Sequence, residues 1–275
     1  MFRLPFATTF LFWGLLGCSS LGGKTGMHVE DGLVFKSVSE GPLKGDLYLP
    51  EGPGPHPAIV VVHGGGWARR SGDMVSLCRD LARAGFAAYN VTYRLAPTHR
   101  YPLPVEDVRD AIVWLKSQAR EHAIDPERIS AWGYSAGAHL ILMAGLSGEL
   151  GLKAIVAGGT PADLTAWPES PLVTDHIGGT FVQKPDLWRE ASPARHVTGN
   201  SPPVFLYHGK WDTLVEPEQM AKMEKALKEK DRPVETYAVP FMGHVAVYFL
   251  SQESVTRGIE FIRRATRPAA QASSP

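Results

Sequence analysis

Leu33 to Val38 and Leu43 to Leu49 alternate apolar and polar residues, which predicts two half-buried antiparallel strands joined by the turn residues Glu40-Gly41-Pro42. After the proline- and glycine-rich PEGPGPHP the pattern changes. Ala58 to Val62 reads AIVVV, unbroken and β-branched, as suits a strand covered on both faces of a largely parallel sheet. Strand and helix patterns then take turns. The spacing predicts a helix over Met74 to Ala84, a strand over Phe86 to Tyr93 and, past the loop Arg94 to Pro104, a helix over Val105 to His122 with Val105, Val108, Ile112 and Leu115 on one face. Strands follow at Arg128 to Trp132, Leu152 to Ala157, Val204 to Tyr207 and Val234 to Val239. Helices are expected at Ala136 to Gly145, Glu218 to Lys230 and Glu253 to Arg264. Such alternation predicts βαβ units, hence a doubly wound, mostly parallel α/β sheet with helices on both faces and a ligand site beyond the carboxyl ends of the strands. Thr160 to Ser201 interrupts the pattern. It is rich in proline and glycine, carries Trp167, Phe181 and Trp188, and is too long for a simple connection, so a small lid over the site is expected there.

Composition narrows the possibilities. A chain of 275 residues with 44% hydrophobic content can bury one large core, and it contains no internal repeat, so residues 31–265 are read as one domain. Lys plus Arg equals Asp plus Glu at 28 each, which leaves no net field to recruit nucleic acid or an anionic surface. The first 17 residues place Arg3 before an apolar stretch too short for a comfortable membrane span, as in a secretory signal. Their ending, Leu15-Leu16-Gly17-Cys18, resembles a bacterial lipobox, in which Cys18 becomes the lipidated first residue and the protein is anchored to a membrane. Ser19 then suits sorting to an outer membrane. An ordinary signal peptide or N-terminal anchor with an incidental cysteine is the alternative. Residues 18–30 would be a polar tether, and 266–275 a disordered tail. With Cys18 acylated, Cys78 has no intramolecular partner and is expected as a small buried residue.

The chemistry centres on Gly133-Tyr134-Ser135-Ala136-Gly137, a glycine-x-serine-x-glycine spacing between an apolar strand and a small-residue helix start. A serine that attacks a carbonyl must stand clear of its own backbone on a tight, strained turn, and only residues without a bulky Cβ can flank it. The helix that follows directs its free N–H groups toward the place where an oxyanion would form. The serine needs a base, and the base an orienting acid. Val204 to Tyr207 runs into His208-Gly209-Lys210-Trp211-Asp212, and the last strand runs out at Pro240-Phe241-Met242-Gly243-His244. Ser135, Asp212 and His244 therefore lie beyond strand ends on one edge, in the order nucleophile, acid, base. Rival bases are His176 and His196 in the lid, and Glu216 or Asp163 could replace the acid. His63 is expected to brace its glycine loop, His139 to point along its helix away from the serine tip, and His208 to bond locally. His28, His56, His99 and His122 are expected to be solvated. Gly64-Gly65-Gly66 directly follows a buried strand, where it and the Ala136 N–H could supply oxyanion donors. Trp67, Trp211, Met242 and Tyr101 neighbour these loops, either lining a substrate pocket or simply packing around the strand ends.

Together His63-Gly64-Gly65-Gly66-Trp67, Tyr93-Arg94-Leu95, Tyr101-Pro102 with Asp107, Ile124-Asp125-Pro126 with Arg128-Ile129, the serine pentapeptide, and Ala191-Ser192-Pro193 with His196-Val197 resemble the α/β-hydrolase esterases. The nearest groups are the hormone-sensitive-lipase-like carboxylesterases and the feruloyl/acetylxylan esterases. The resemblance runs from about Leu43 to Arg264. It implies the α/β-hydrolase fold and a serine carboxylesterase acting on short acyl, aryl or carbohydrate esters through an acyl-enzyme. Ser135 would be the nucleophile, Asp212 and His244 would complete the triad, and Gly65, Gly66 and Ala136 would be the oxyanion donors. It calls for no metal or organic cofactor. An amidase or small peptidase on the same fold, or a non-catalytic tethered binding module, are the competing expectations. The short segment ahead of the domain favours the open feruloyl/acetylxylan type over a helical cap.

Overall fold

The computed structural model describes residues 26–72 and 74–267. The first 25 residues, with Cys18 and the expected signal segment, lie outside the described residues, as does most of the expected tail. Strand β3 (His56–Val62) shows why the sheet forms: Ala58, Val60 and Val62 face one apolar layer, Ile59 and Val61 the other, and all five are fully buried. Around it lie β1 (His28–Val38), β2 (Gly41–Leu49), β4 (Ala87–Val91), β5 (Ile124–Tyr134), β6 (Ile155–Gly158), β7 (Val204–Gly209) and β8 (Val234–Val239). Among the described residues they form one eight-stranded sheet in the order β1-β2-β4-β3-β5-β6-β7-β8. All neighbouring pairs from β4 to β8 are parallel, while β1 and β2 are an antiparallel hairpin on the edge of β4.

Helices close both faces. Helix α1 (Val75–Arg83) and α8 (Gln252–Ala265) bury Cys78, Leu81, Phe261 and Ile262 against Ile59, Val61 and Trp132. On the other face lie α2 (Leu103–Ser117), α3 (Ala136–Gly145) and α6 (Glu218–Lys228), with Ile112, Leu115, Leu140, Met223 and Leu227 in the second layer. Asp107 of α2 is fully buried and accepts from the Arg94 guanidinium at both oxygens, with Lys36 of β1 at 2.7 Å. Burial alone would raise this carboxyl, and the hydrogen bonds from Arg94 and Lys36 overcome it and hold it low.

Four elements depart from the pattern expected of the sequence. Strand β1 begins inside the predicted tether because His28, Val29 and Glu30 pair with Leu49, Tyr48 and Leu47. His122, expected to be solvated, is buried with Nδ1 2.8 Å from Glu30 Oε2. The helix ahead of it ends at Ser117, and the chain turns through Ala123 at φ 52° into β5. The aperiodic lid carries α4 (Pro171–Ile177) and α5 (Pro185–Glu190), each started by a proline, with short 3-10 turns at Leu164–Ala166 and Pro193–Arg195. An additional helix, α7 (His244–Leu250), precedes α8. The lid is pinned as well as folded: the Ala162 and Asp163 N–H groups donate to Gln219 Oε1, and Leu164 N–H donates to Ser192 Oγ.

Candidate active site

Strand β5 stops at Tyr134 and α3 starts at Ala136, so the reversal rests on Ser135, at φ 54° and ψ −121°. A non-glycine residue there stores roughly 1–3 kcal/mol of backbone strain, held in part by Ser135 N–H donating to the Gly158 carbonyl at 2.8 Å. The flanking glycines are required by close approach. A Cβ on Gly133 would stand 2.5 Å from the Gly137 carbonyl, and one on Gly137 would run into the carbonyl of Val62.

The glycine turn lies next to this reversal. A Cβ on Gly64 would stand 3.3 Å from the Ser135 Cβ. Gly65 and Gly66 hold φ 115° and 60°, and the N–H groups of Ala68 and Arg69 fold back onto the Gly65 carbonyl. His63 braces the turn, with Nδ1 2.7 Å from the Gly64 carbonyl and its ring stacked on Tyr93 at 4.5 Å. Burial brings this imidazole down to about 4, so it is neutral at pH 7 and Nδ1 carries the proton given to that carbonyl.

Asp212 sits just past β7. One oxygen accepts the N–H groups of Leu214 and Val215, at 3.0 and 2.9 Å; the other lies 2.7 Å from His244 Nδ1 and 3.3 Å from His208 Nε2. Burial pushes the carboxyl up, but hydrogen bonds from His208 and His244 outweigh it and hold Asp212 well below the usual carboxylate range. His244 is the first residue of α7, and its carbonyl accepts the Tyr134 hydroxyl at 2.6 Å. Its ring also needs the glycine at 159: a Cβ there would stand 2.9 Å from His244 Cε1.

Ser135, Ala136, Gly65, Gly66 and His244 line one cavity of about 370 Å³. Leu172, Leu214, Val245 and Phe249 form its partly exposed apolar mouth. Trp67 also borders it, but the indole is buried and its N–H is engaged by His139. Trp211 and Met242, expected as pocket residues, are not among the lining residues. The exposed Trp211 indole meets Phe241 edge-on, the Trp211 main-chain N–H donates to the Met242 carbonyl, and the half-buried Met242 packs against the apolar layer that holds Ile59 and Val61. Tyr101 donates to Glu190 instead. The rival bases lie elsewhere: His176 is buried against Trp67, and His196 bonds the Glu190 carbonyl. Glu216 accepts from Trp167, and Asp163 pairs with Lys222. Tyr134, Gly159 and His208 emerge as supports of the His244–Asp212 pair. The sequence signal for two of them was their place at the end of β5 and just past β6. Among the described residues no group of three or more His, Cys, Asp or Glu side chains could hold a metal ion.

The mostly parallel sheet, the strained serine reversal and the acid and imidazole beyond later strands define an α/β-hydrolase fold. The chain belongs to the BD-FAE family, which matches residues 45–227. Esterase LipC of Mycobacterium tuberculosis is 30% identical over 213 residues, covering 69% of this chain and 53% of LipC. The chain spans about half the length of the curated relatives it matches. Among solved structures, a truncated carbohydrate esterase from gut microbiota superposes with TM-score 0.78 at 21% identity, covering 89% of this chain and 98% of that one. The acetyl ester-xyloside bifunctional hydrolase of Caldicellulosiruptor lactoaceticus superposes with TM-score 0.75 at 22% identity, covering 90% and 98%. At these identities the structural likeness is one of fold.

Proposed function

We propose that the protein is a serine esterase. Ser135 Oγ attacks the ester carbonyl as His244 takes its proton, and Asp212, ionised and bonded to His244 Nδ1, fixes the tautomer that leaves Nε2 free to accept. The N–H groups of Gly65, Gly66 and Ala136 hold the oxyanion of the tetrahedral intermediate. Collapse expels the alcohol, protonated by His244, and water, activated by the same imidazole, then hydrolyses the acyl-enzyme. The observation that carries this reading is the 2.7 Å contact between His244 and Asp212 beside the cavity that Ser135, the glycine turn and His244 share. The names of the relatives support ester substrates, and the names of two structural neighbours, a carbohydrate esterase and an acetyl ester-xyloside hydrolase, suggest acetylated sugars for the first assays, with feruloylated sugars added from the sequence resemblance. Ser135→Ala tests it: hydrolysis of a 4-nitrophenyl acyl ester should vanish with the melting temperature retained, and turnover at the parent rate would refute the assignment.

We infer further that Cys18 carries a lipid and tethers the domain to the outward face of a bacterial membrane. No helix among the described residues is long and apolar enough to cross a membrane. Seven residues separate Cys18 from Gly26, and the eight steps span at most about 29 Å of extended chain. Strand β1 begins opposite Leu49, at the end of β2 remote from Val91, while the cavity opens beyond the other ends of the sheet. Such a tether leaves the cavity facing away from its own membrane. Palmitate labelling that persists in Cys18→Ala would remove the anchor from the proposal.

A further inference from the structure

The donors of the proposed oxyanion hole come from two separate elements, the turn after β3 for Gly65 and Gly66 and the start of α3 for Ala136. They act together only if both point at one substrate oxygen. Backbone bonds hold each element internally: Ala68 and Arg69 donate to Gly65, Ser71 donates to Gly64, and Ser135 donates to Gly158. None of these runs from the glycine turn to α3.

The residue next to Gly66 does. The Trp67 indole Nε1 donates to His139 Nδ1 at 3.2 Å, between two buried side chains. His139 stands one helical turn beyond the nucleophile, with its own N–H donating to the Ser135 carbonyl at 3.0 Å. His139 Nε2 lies 2.7 Å from the Ala191 carbonyl. A carbonyl can only accept, so Nε2 carries the proton, and the indole donor needs the Nδ1 lone pair. The two bonds together select one neutral tautomer. His176 of α4 stacks on Trp67 with centroids 4.5 Å apart and planes 13° from parallel, which holds the indole in place. Trp67 itself keeps φ at 60°, a left-handed conformation that a tryptophan holds only when its surroundings impose it.

We propose that Trp67 and His139 are positioning residues for the oxyanion hole: their buried hydrogen bond sets the glycine turn against the nucleophile helix so that both sets of backbone donors converge. The proposal rests on the serine-esterase reading above. Because the turn and the serine reversal lie so close that a single methyl on Gly64 would crowd the Ser135 Cβ at 3.3 Å, a small rotation of either element displaces the donors. The loss should therefore fall on the transition state, in which the oxyanion exists, and not on ground-state binding.

Trp67→Phe keeps an aromatic ring over His176 and removes the N–H. With 4-nitrophenyl acetate, kcat should fall at least about tenfold with KM within about threefold, since loss of a whole oxyanion donor costs roughly 10²–10³. The inhibition constant of phenylboronic acid, which forms a tetrahedral adduct on a serine, should rise in parallel. His139→Leu should match Trp67→Phe, and the double variant should be no worse than either. His139→Asn, whose amide oxygen stands where Nδ1 stood, should retain most of the activity. Trp132→Phe removes another buried indole bond, the one to Tyr207, and should leave kcat unchanged. Melting temperatures identify any variant that fails to fold, in which case the contrast between His139→Asn and His139→Leu decides. A parental kcat in Trp67→Phe, equal losses in the two His139 variants, or a rise in KM alone would overturn the proposal. Activity surviving in Ser135→Ala would instead strike the esterase reading itself.

Discussion

The two sides of the cavity are built differently. The nucleophile side is backbone against backbone: Gly133, Gly137 and Gly65 each stand where a Cβ would meet a carbonyl, and the serine is held by a strained φ and a main-chain bond. The acid and base side is held by side chains. Asp212 is fixed by His208, His244 and two N–H groups, His244 by Asp212 and the Tyr134 hydroxyl, and the surrounding surface exposes Leu214, Val245 and Phe249. Steric fit tolerates no added atom, whereas hydrogen-bonded fixation can be weakened in steps. Adding a methyl to a glycine of the first side should therefore act on folding, and replacing a polar side chain of the second should act on turnover.

Gly137→Ala should have the largest effect. Its methyl would meet the Val62 and His63 carbonyls at the end of β3 and just past it, which cannot swing aside as a side chain could. A loss of at least about 3 kcal/mol is expected, read as a fall in the denaturation midpoint. A variant of parental stability would show that α3 can slide away from the sheet. Asp212→Asn should do the reverse, leaving a folded protein whose kcat falls on the order of 10³–10⁴-fold, because the amide can present an N–H to His244 Nδ1 and favour the wrong tautomer. A loss under about tenfold would remove Asp212 from the proposed role.

An effect of intermediate size is expected from acid. His63 and His139 are buried, and burial brings both to about 4 from an ordinary value near 6.5. Between those values the unfolded chain binds more protons than the folded one, so stability falls as pH drops from about 6.5 to 4. Asp212, held low, adds a loss at more acidic pH: its contribution is complete above the unfolded carboxylate value and disappears as pH falls toward its folded one. His139→Asn removes one of these histidine terms, to which the buried His176, also held well below its ordinary value, adds a third, and should reduce the stability lost between pH 6.5 and 4 by on the order of 3 kcal/mol, measured as denaturation midpoints across that range. An unchanged slope would mean that the ring is already charged in the fold.

What could be read from the sequence follows the same division. The glycine spacing, the order of Ser135, Asp212 and His244, and the strands that end beside them are local patterns, because steric needs act between residues close in the chain or at a strand end. Contacts between distant residues left no such trace. Nothing near His122 announces Glu30, and nothing near Trp67 announces His139. Helix α7 was hidden for a related reason: it starts on the base itself, and it leaves Val245, Phe249 and Leu250 exposed, so its apolar residues do not mark a buried face. The lid helices, of seven and six residues, are too short for periodicity, and only Ser170-Pro171 and Pro185 mark their starts. Trp211 and Met242 show the opposite error: nearness in sequence to Asp212 and His244 suggests a pocket, whereas the Trp211 indole is exposed and Met242 packs on the core.

The smallest effect should come from the exposed indole. Trp211 is 62% exposed and Phe241 is 75% exposed, and neither lines the cavity, although each is within three residues of a proposed catalytic side chain. The bond that ties their loops, Trp211 N–H to the Met242 carbonyl, is main chain and survives truncation of the indole. Trp211→Ala should therefore change both kcat and KM on a small acyl ester by less than about twofold, and stability by no more than about 0.5 kcal/mol, the usual range for a surface substitution. Leu214→Ala, on the same loop but at the mouth of the cavity, should leave kcat alone and raise KM for longer acyl chains, about threefold for each methylene or two that loses its contact. If the two substitutions behaved alike, the line between the lining and its surroundings would be misdrawn, and the cavity would extend across the loop to include the indole.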